Sequence, residues 1–286
     1  MNKKFFRGLW RLIRPYWWGK TFFFMSLGAA MAVEGFPDLG RFLLGFLIMG
    51  VFLWGGFYTL NDLTDIKLDV YDKEKKNRAI ASGMVSPKRG FIFAYALIII
   101  ALMAGFFVNR FFFYMLVVLT INHLAYTLEP IRLKKRIFFD VFSGAFMTPV
   151  FRFLAGWFLF TDSFEIPILM IIALSFLKVG GYMFYKLRNR DIEIKFKHRN
   201  TFTLLSEKSI KIISVGYSIL GLVSFILMPL IGTLPLRFLW LIGAIFVITP
   251  FYWRKYQQTK GVFSIQKYVY LSYFLAGILF MLIYSL

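Results

Sequence analysis

Apolar runs of about 17 to 25 residues, the length that crosses a bilayer as a helix, recur nine times along the chain, each closed by a short polar segment. They fall near residues 18–35, 41–60, 90–108, 111–128, 138–160, 164–185, 210–231, 235–252 and 267–286. The pattern predicts an all-α polytopic membrane protein, a bundle of about nine transmembrane helices filling one domain over residues 1–286. Lys and Arg are unevenly shared among the connecting segments. They crowd the first twenty residues and the loops after even-numbered helices, whereas the other loops hold only Arg41, Arg110 and Arg237. By the positive-inside rule this places the N-terminus and the basic loops in the cytoplasm.

Composition sharpens this picture. At 59% hydrophobic residues with 37 Phe, the 286-residue chain carries more apolar surface than a soluble domain could bury. Cysteine is absent, so disulfides and thiolate metal sites are excluded, and any metal must be held by oxygen ligands or by His123 and His198. Oxygen ligands suit magnesium or another hard cation. The net charge of +20 is divided among membrane-spaced loops, which argues for anionic lipid headgroups and phosphorylated substrates and against nucleic acid. Met1 to Lys20 is basic and aromatic with no small-residue cleavage site, so no cleavable signal peptide is expected and the plasma membrane is the expected location. Oligomeric state has no signal in the sequence.

Directly after the second apolar run stands Asn61-Asp62-Leu63-Thr64-Asp65-Ile66-Lys67-Leu68-Asp69. On a continuing helix, Asp62, Asp65 and Asp69 share one face. An acidic stripe at a membrane boundary is costly unless a cation sits on it, and the Lys and Arg around it call for an anion as well. A divalent metal with a phosphate satisfies both. A weak echo, Asp191-Ile192-Glu193-Ile194-Lys195, follows the sixth run four helices later. That offset suggests a duplicated four-helix unit whose two loops face a shared cavity near the cytoplasmic face.

Asn61-Asp62-x-x-Asp65-x-x-x-Asp69, with Asn77-Arg78 and Ser82-Gly83 at their spacing, resembles the first signature of the UbiA-type membrane prenyltransferases. Tyr126 to Lys134 resembles that family's tyrosine and basic segment, and Asn189-Arg190-Asp191-Ile192-Glu193 with Asn200-Thr201 resembles its second aspartate-rich loop. The similarity runs from helix two to helix seven. It implies an enzyme that binds an isoprenyl diphosphate and transfers the prenyl group to a lipophilic acceptor, with an aromatic quinone precursor as the first guess. Mg2+ would be held by Asp62, Asp65, Asp69 and Asp191, and Asn61 would ligate it or orient a carboxylate. Arg78, Arg132 and Lys134 would hold phosphate oxygens, and Tyr126 would meet the diphosphate or the acceptor.

One position departs from the family. Where its second loop has an Asp four residues after Asp191, this chain has Lys195, a candidate for direct phosphate contact, whose consequence is a shifted alignment, an altered donor or an inactive enzyme. Three alternatives therefore stay open: a phosphoribosyl transfer to polyprenyl phosphate, a UbiA-type terpene cyclisation, and noncatalytic binding or transport of prenyl lipids. Arg152 and Lys178 fall inside predicted helices, where a charge usually faces a cavity, and are substrate-binding candidates. Asp72 and His198 read as solvated groups, Asp140 as a neutraliser of neighbouring basic residues, and His123 as a packed, hydrogen-bonded histidine.

Overall fold

In a computed structural model, which describes residues 3–72, 75–187, 190–240, 243, 254 and 262–286, the predicted runs become helices. A short basic helix α1 (Lys3–Leu12) precedes α2 (Trp18–Met31), α3 (Leu39–Thr64), α4 (Pro87–Val108), α5 (Arg110–Thr127), α6 (Phe139–Phe158) and α7 (Ile168–Leu187). After the short α8 (Arg190–Lys195) come α9 (Glu207–Leu230) and α10 (Val262–Ser285). Eight of the nine predicted spans thus have a helical counterpart, and most of the 235–252 run lies outside the described residues. Helices α3, α4, α6, α7 and α9 are long and apolar enough to cross a membrane.

Local chemistry sets the helix starts. The Asn109 side chain accepts from the backbone N–H groups of Phe111 (2.8 Å) and Phe112 (3.1 Å), and Ser206 accepts from Ser209 (3.1 Å), so α5 and α9 begin on capped turns. Pro87 opens α4 where its missing N–H costs no helical bond. At the sequence signature, Gly83 has φ 70°, a left-handed conformation that favours glycine, and its N–H donates to Ile80 at 3.0 Å. The Ser-Gly pair of the motif is therefore a turn that carries the chain back into α4.

Small residues let the helices approach closely, the usual device where the surroundings are as apolar as the side chains. A Cβ at Gly28 of α2 would lie 2.0 Å from the Phe153 carbonyl oxygen, and one at Gly156 of α6 would lie 2.1 Å from that of Met25. Around this crossing Met25, Phe42, Phe57, Phe112, Phe153 and Phe158 are buried in one continuous core. By contrast, α4 packs on α3 and α5 and turns Ile99, Met103, Phe106 and Phe107 outward, an apolar face suited to lipid. Two helices carry a wide π segment, at Leu47–Leu53 in α3 and Phe142–Phe146 in α6. Such segments often mark functional positions, and Ser143 and Gly144 of the second line the central cavity.

Candidate functional site

A cavity of about 900 Å³ enters the bundle between the loops after α3 and α7, walled by α2, α3, α5, α6, α7, α9 and α10. At its loop end stand Asn61, Asp65, Asp69, Arg78, Tyr126, Lys134, Tyr182, Tyr185 and Lys186. Farther in, Trp54, Arg152, Lys178, Phe23, Phe225 and Tyr273 share the wall.

The acidic signature sits at the C-terminal end of α3, where the helix dipole already carries negative charge, so its carboxylates need cations. They have four. Asp62, only 2% exposed, is paired with Arg14 and lies 3.2 Å from Arg78 Nη1. Asp69 Oδ2 lies 2.7 Å from the same Arg78 nitrogen. Asp65 takes Lys134 Nζ at 2.7 Å and Arg132 Nη2 at 3.4 Å. Arg132 also donates to the Thr64 carbonyl oxygen at 3.0 Å, and Lys134 to Thr64 Oγ1 at 3.0 Å, which ties the α5–α6 loop to the end of α3.

Burial and charge pull these carboxyls apart. For Asp69, burial dominates, and with Asp62 and Asp65 nearby it pushes the carboxyl up to about 6 despite the Arg78 contact. Burial also pushes Asp65 up, but Lys134 and Arg132 together outweigh it and hold the carboxyl below its usual range. Burial opposes the charge on Arg78, and Asp62 with Asp69 more than offset that, so its guanidinium is held more firmly protonated than usual.

Among the described residues no three Asp, Glu or His side chains stand together as a ready metal nest. The donors nevertheless suit a hard cation. Oxygens of Asp62 and Asp69 converge on one positively charged nitrogen, and a point of positive charge shared by two carboxylates is what a magnesium ion would supply. Asn61 lies one residue away, with its Oδ1 accepting from Thr127 Oγ1 at 3.0 Å. That hydrogen bond fixes the orientation of the Asn61 amide.

At the loop after α7 the inward carboxylate is Glu193. It accepts from Lys186 Nζ at 2.8 Å and from the Asn200 amide. Burial pushes Glu193 up, and Lys186 with Asn200 outweigh it and hold the carboxyl below its ordinary range. Asp191, two residues earlier on α8, faces the other way and is exposed, so it stands outside the acidic cluster. Lys195 is exposed too, and its Nζ lies 5.6 Å over the Tyr71 ring instead of in the cavity. Phe196 also meets Tyr71, at 5.4 Å between centroids, so the two loops do face and touch each other.

Several other expectations are corrected by burial. Asp72 is 5% exposed and pairs with Lys75 at 3.0 Å, so it is not a solvated charge. Asp140 is fully buried and, among the described residues, forms no direct ion pair, with Lys186 felt only as a nearby charge. It accepts from the Thr201 N–H (3.1 Å) and hydroxyl (2.5 Å), and so pins the 200–201 turn to α6. His198 is half-buried. His123 matches its expected role: it stacks on Phe57 at 4.1 Å and lies 3.3 Å from the Phe57 carbonyl oxygen. Tyr126 shares a 2.8 Å hydrogen bond with Tyr182 on the cavity wall. Asn189 lies outside the described residues.

Sequence reasoning missed Arg14, Lys20, Tyr182 and Lys186. Arg14 is 48 residues from its partner Asp62, and no local pattern links them. Lys186 was available, because Lys186 and Glu193 are seven residues apart at a helix end.

The UbiA prenyltransferase family model matches residues 21–285. The chain is 31% identical over 127 residues to the bacteriochlorophyll synthase 34 kDa chain of Chloroflexus aurantiacus, covering 44% of this chain and 40% of that protein. It is 32% identical over 82 residues to the 4-hydroxybenzoate octaprenyltransferase of Saccharophagus degradans, covering 28% of this chain and 26% of that one. These matches thus span less than half the length of either relative. Along almost its full length the fold matches a UbiA homolog from Archaeoglobus fulgidus bound to GPP and Mg2+, with a TM-score of 0.77, 18% identity, and 97% of this chain and 98% of that one covered.

Proposed function

The chain belongs to the UbiA prenyltransferase family, and from that membership we propose that it transfers an isoprenyl group from an isoprenyl diphosphate to a lipophilic acceptor. The observation that carries the reading is the convergence of Asp62 and Asp69 on one cationic point at the entrance to a cavity whose rim also holds Lys134 and Lys186. Carboxylates alone would repel a diphosphate, and cations alone would not need the carboxylates. Together they fit a diphosphate bridged to acids by a divalent ion.

Asp62, Asp65 and Asp69 would hold Mg2+, with Asn61 beside them as an oriented amide oxygen. When bound, the ion would neutralise charge developing on the departing diphosphate. Arg78 would present a planar, forked guanidinium to the diphosphate oxygens, and Lys134 and Lys186 would add point charges. Tyr126 and Tyr182, linked through their hydroxyls, would border the reacting carbon. The aromatic and apolar wall behind them would exclude water from an allylic cation and face it with ring electrons. Asp191 and Lys195 have no part in the acidic cluster as folded, and Glu193 with Lys186 takes the inward place on the second loop.

The basic loops and this rim would face the cytoplasm, with the protein embedded as one domain in the plasma membrane. The test is diphosphate release by the purified protein in lipid with Mg2+, a panel of prenyl diphosphates and total membrane lipid, followed by product mass analysis. A prenyl-mass adduct supports transfer. Release with a hydrocarbon product would replace transfer by cyclisation, and no release with any donor would refute the reading.

A further inference from the structure

Beyond the rim, the cavity holds a second set of positive charges that the diphosphate does not explain. Arg152 is 3% exposed, its guanidinium carbon is 3.7 Å from the Trp54 ring centroid, and its Nε has no hydrogen-bond partner. Lys20 Nζ lies 4.8 Å from the Trp17 ring and 4.6 Å from the Tyr270 ring. Lys178 projects from the middle of α7 into the same space. The three repel one another across the cavity, and among the described residues no carboxylate faces any of them.

Aromatic faces offset part of the cost of such charges, and an anion entering the cavity would offset the repulsion among them. Arg152 and Lys178 stand away from the rim, and Lys20 shares the Trp17 ring with Arg14, the partner of Asp62. Trp54, under Arg152, is seven residues before Asn61, about 10 Å along the α3 axis, and Lys178 is eight residues before Lys186, about 12 Å along α7. Phe23, Leu174 and Phe225 line the same inner space, so what enters is amphiphilic.

We propose that Lys20, Arg152 and Lys178 form a second anion site, which holds the carboxylate or phosphate of the lipophilic acceptor while the donor diphosphate occupies the rim. The proposal rests on the prenyl-transfer reading for its second ligand, and its test reads the two separately. The protein, in phosphatidylcholine nanodiscs, is titrated with 4-octylbenzoate, 4-octylphenyl phosphate and the neutral 4-octylbenzyl alcohol, read by tryptophan fluorescence with and without saturating Mg2+ and geranyl diphosphate. At least one anion binds about tenfold tighter than the alcohol or more, and the stronger anion identifies the headgroup. Arg152→Gln and Lys178→Gln each abolish that preference, Arg152→Lys retains it, and all three variants still bind geranyl diphosphate.

Equal binding of anions and alcohol by the unaltered protein would overturn the proposal, as would a preference that survives both Gln substitutions. Displacement of the anion by geranyl diphosphate would merge the two sites and also overturn it. Displacement by 5-phosphoribosyl diphosphate alone would give the cations to a phosphorylated donor and remove them from the acceptor. Failure of the unaltered protein to bind geranyl diphosphate would count against the prenyl donor, and the anion preference would still be read on its own.

Discussion

The loops after α3 and α7 both bring carboxylates to the cavity end of a long helix, yet they hold them differently. At the α3 end, Asp62, Asp65 and Asp69 are met by Arg14, Arg78, Arg132 and Lys134, and one guanidinium nitrogen is shared between two acids. At the α7 end, a single inward carboxylate, Glu193, is enclosed by one lysine and one amide, in a turn that Asp140 pins from below. The first arrangement can trade its cations for a metal and a phosphate without leaving an acid bare. The second is a closed hydrogen-bonded unit whose loss would unmake the loop. Similar short motifs thus support a ligand-exchanging site on one side and a hydrogen-bonded structural brace on the other.

The largest break in this contrast should come from Asp69→Asn. It removes one of the two acids that share a cation, and metal-dependent diphosphate release should fall by about a hundredfold or more while the protein stays folded. Release at the unaltered rate in this variant and in Asp65→Ala would remove the acidic cluster from the chemistry. Next comes Glu193→Gln, which leaves Lys186 buried without its partner. Breaking a buried pair costs about 3 kcal/mol, so amide exchange over residues 190–204 should accelerate markedly and turnover should drop with it.

Tyr126→Phe deletes one hydroxyl of a linked pair and should cost about 1 kcal/mol, read as a several-fold loss of kcat/KM with stability nearly unchanged. Asp191→Asn should do least. An exposed side chain outside the cluster should change stability by less than about 0.5 kcal/mol and leave the Mg2+ dependence of turnover where it was. An effect matching that of Asp69→Asn would mean that α8 turns when donor binds, and the distinction between the loops would not survive it.

Much of this was legible in the sequence because bilayer length and hydropathy leave few choices for a chain so apolar. Eight of nine helices could be placed from their runs alone, and the spacing of Asn61, Asp62, Asp65 and Asp69 with Arg78 located the acidic end of α3. What the sequence did not disclose was direction and distance. Asp191 and Glu193 are two residues apart on a helix, and only the packing of α8 decides which faces inward. Asp72 and Asp140 look like ordinary loop charges until burial and their hydrogen bonds are seen. Arg14 and Lys20 lie in a basic N-terminal stretch that reads as a topology signal, and nothing local announces that one reaches Asp62 and the other Tyr270.

The most direct test of the acidic cluster as the diphosphate site is the binding of Mn2+, as a paramagnetic substitute for Mg2+, to the purified protein with and without geranyl diphosphate, compared with Asp69→Asn. Tight Mn2+ binding that depends on geranyl diphosphate in the unaltered protein, and its loss in the variant, is the expected result. Mn2+ bound equally well by both proteins, or without regard to geranyl diphosphate, would contradict it.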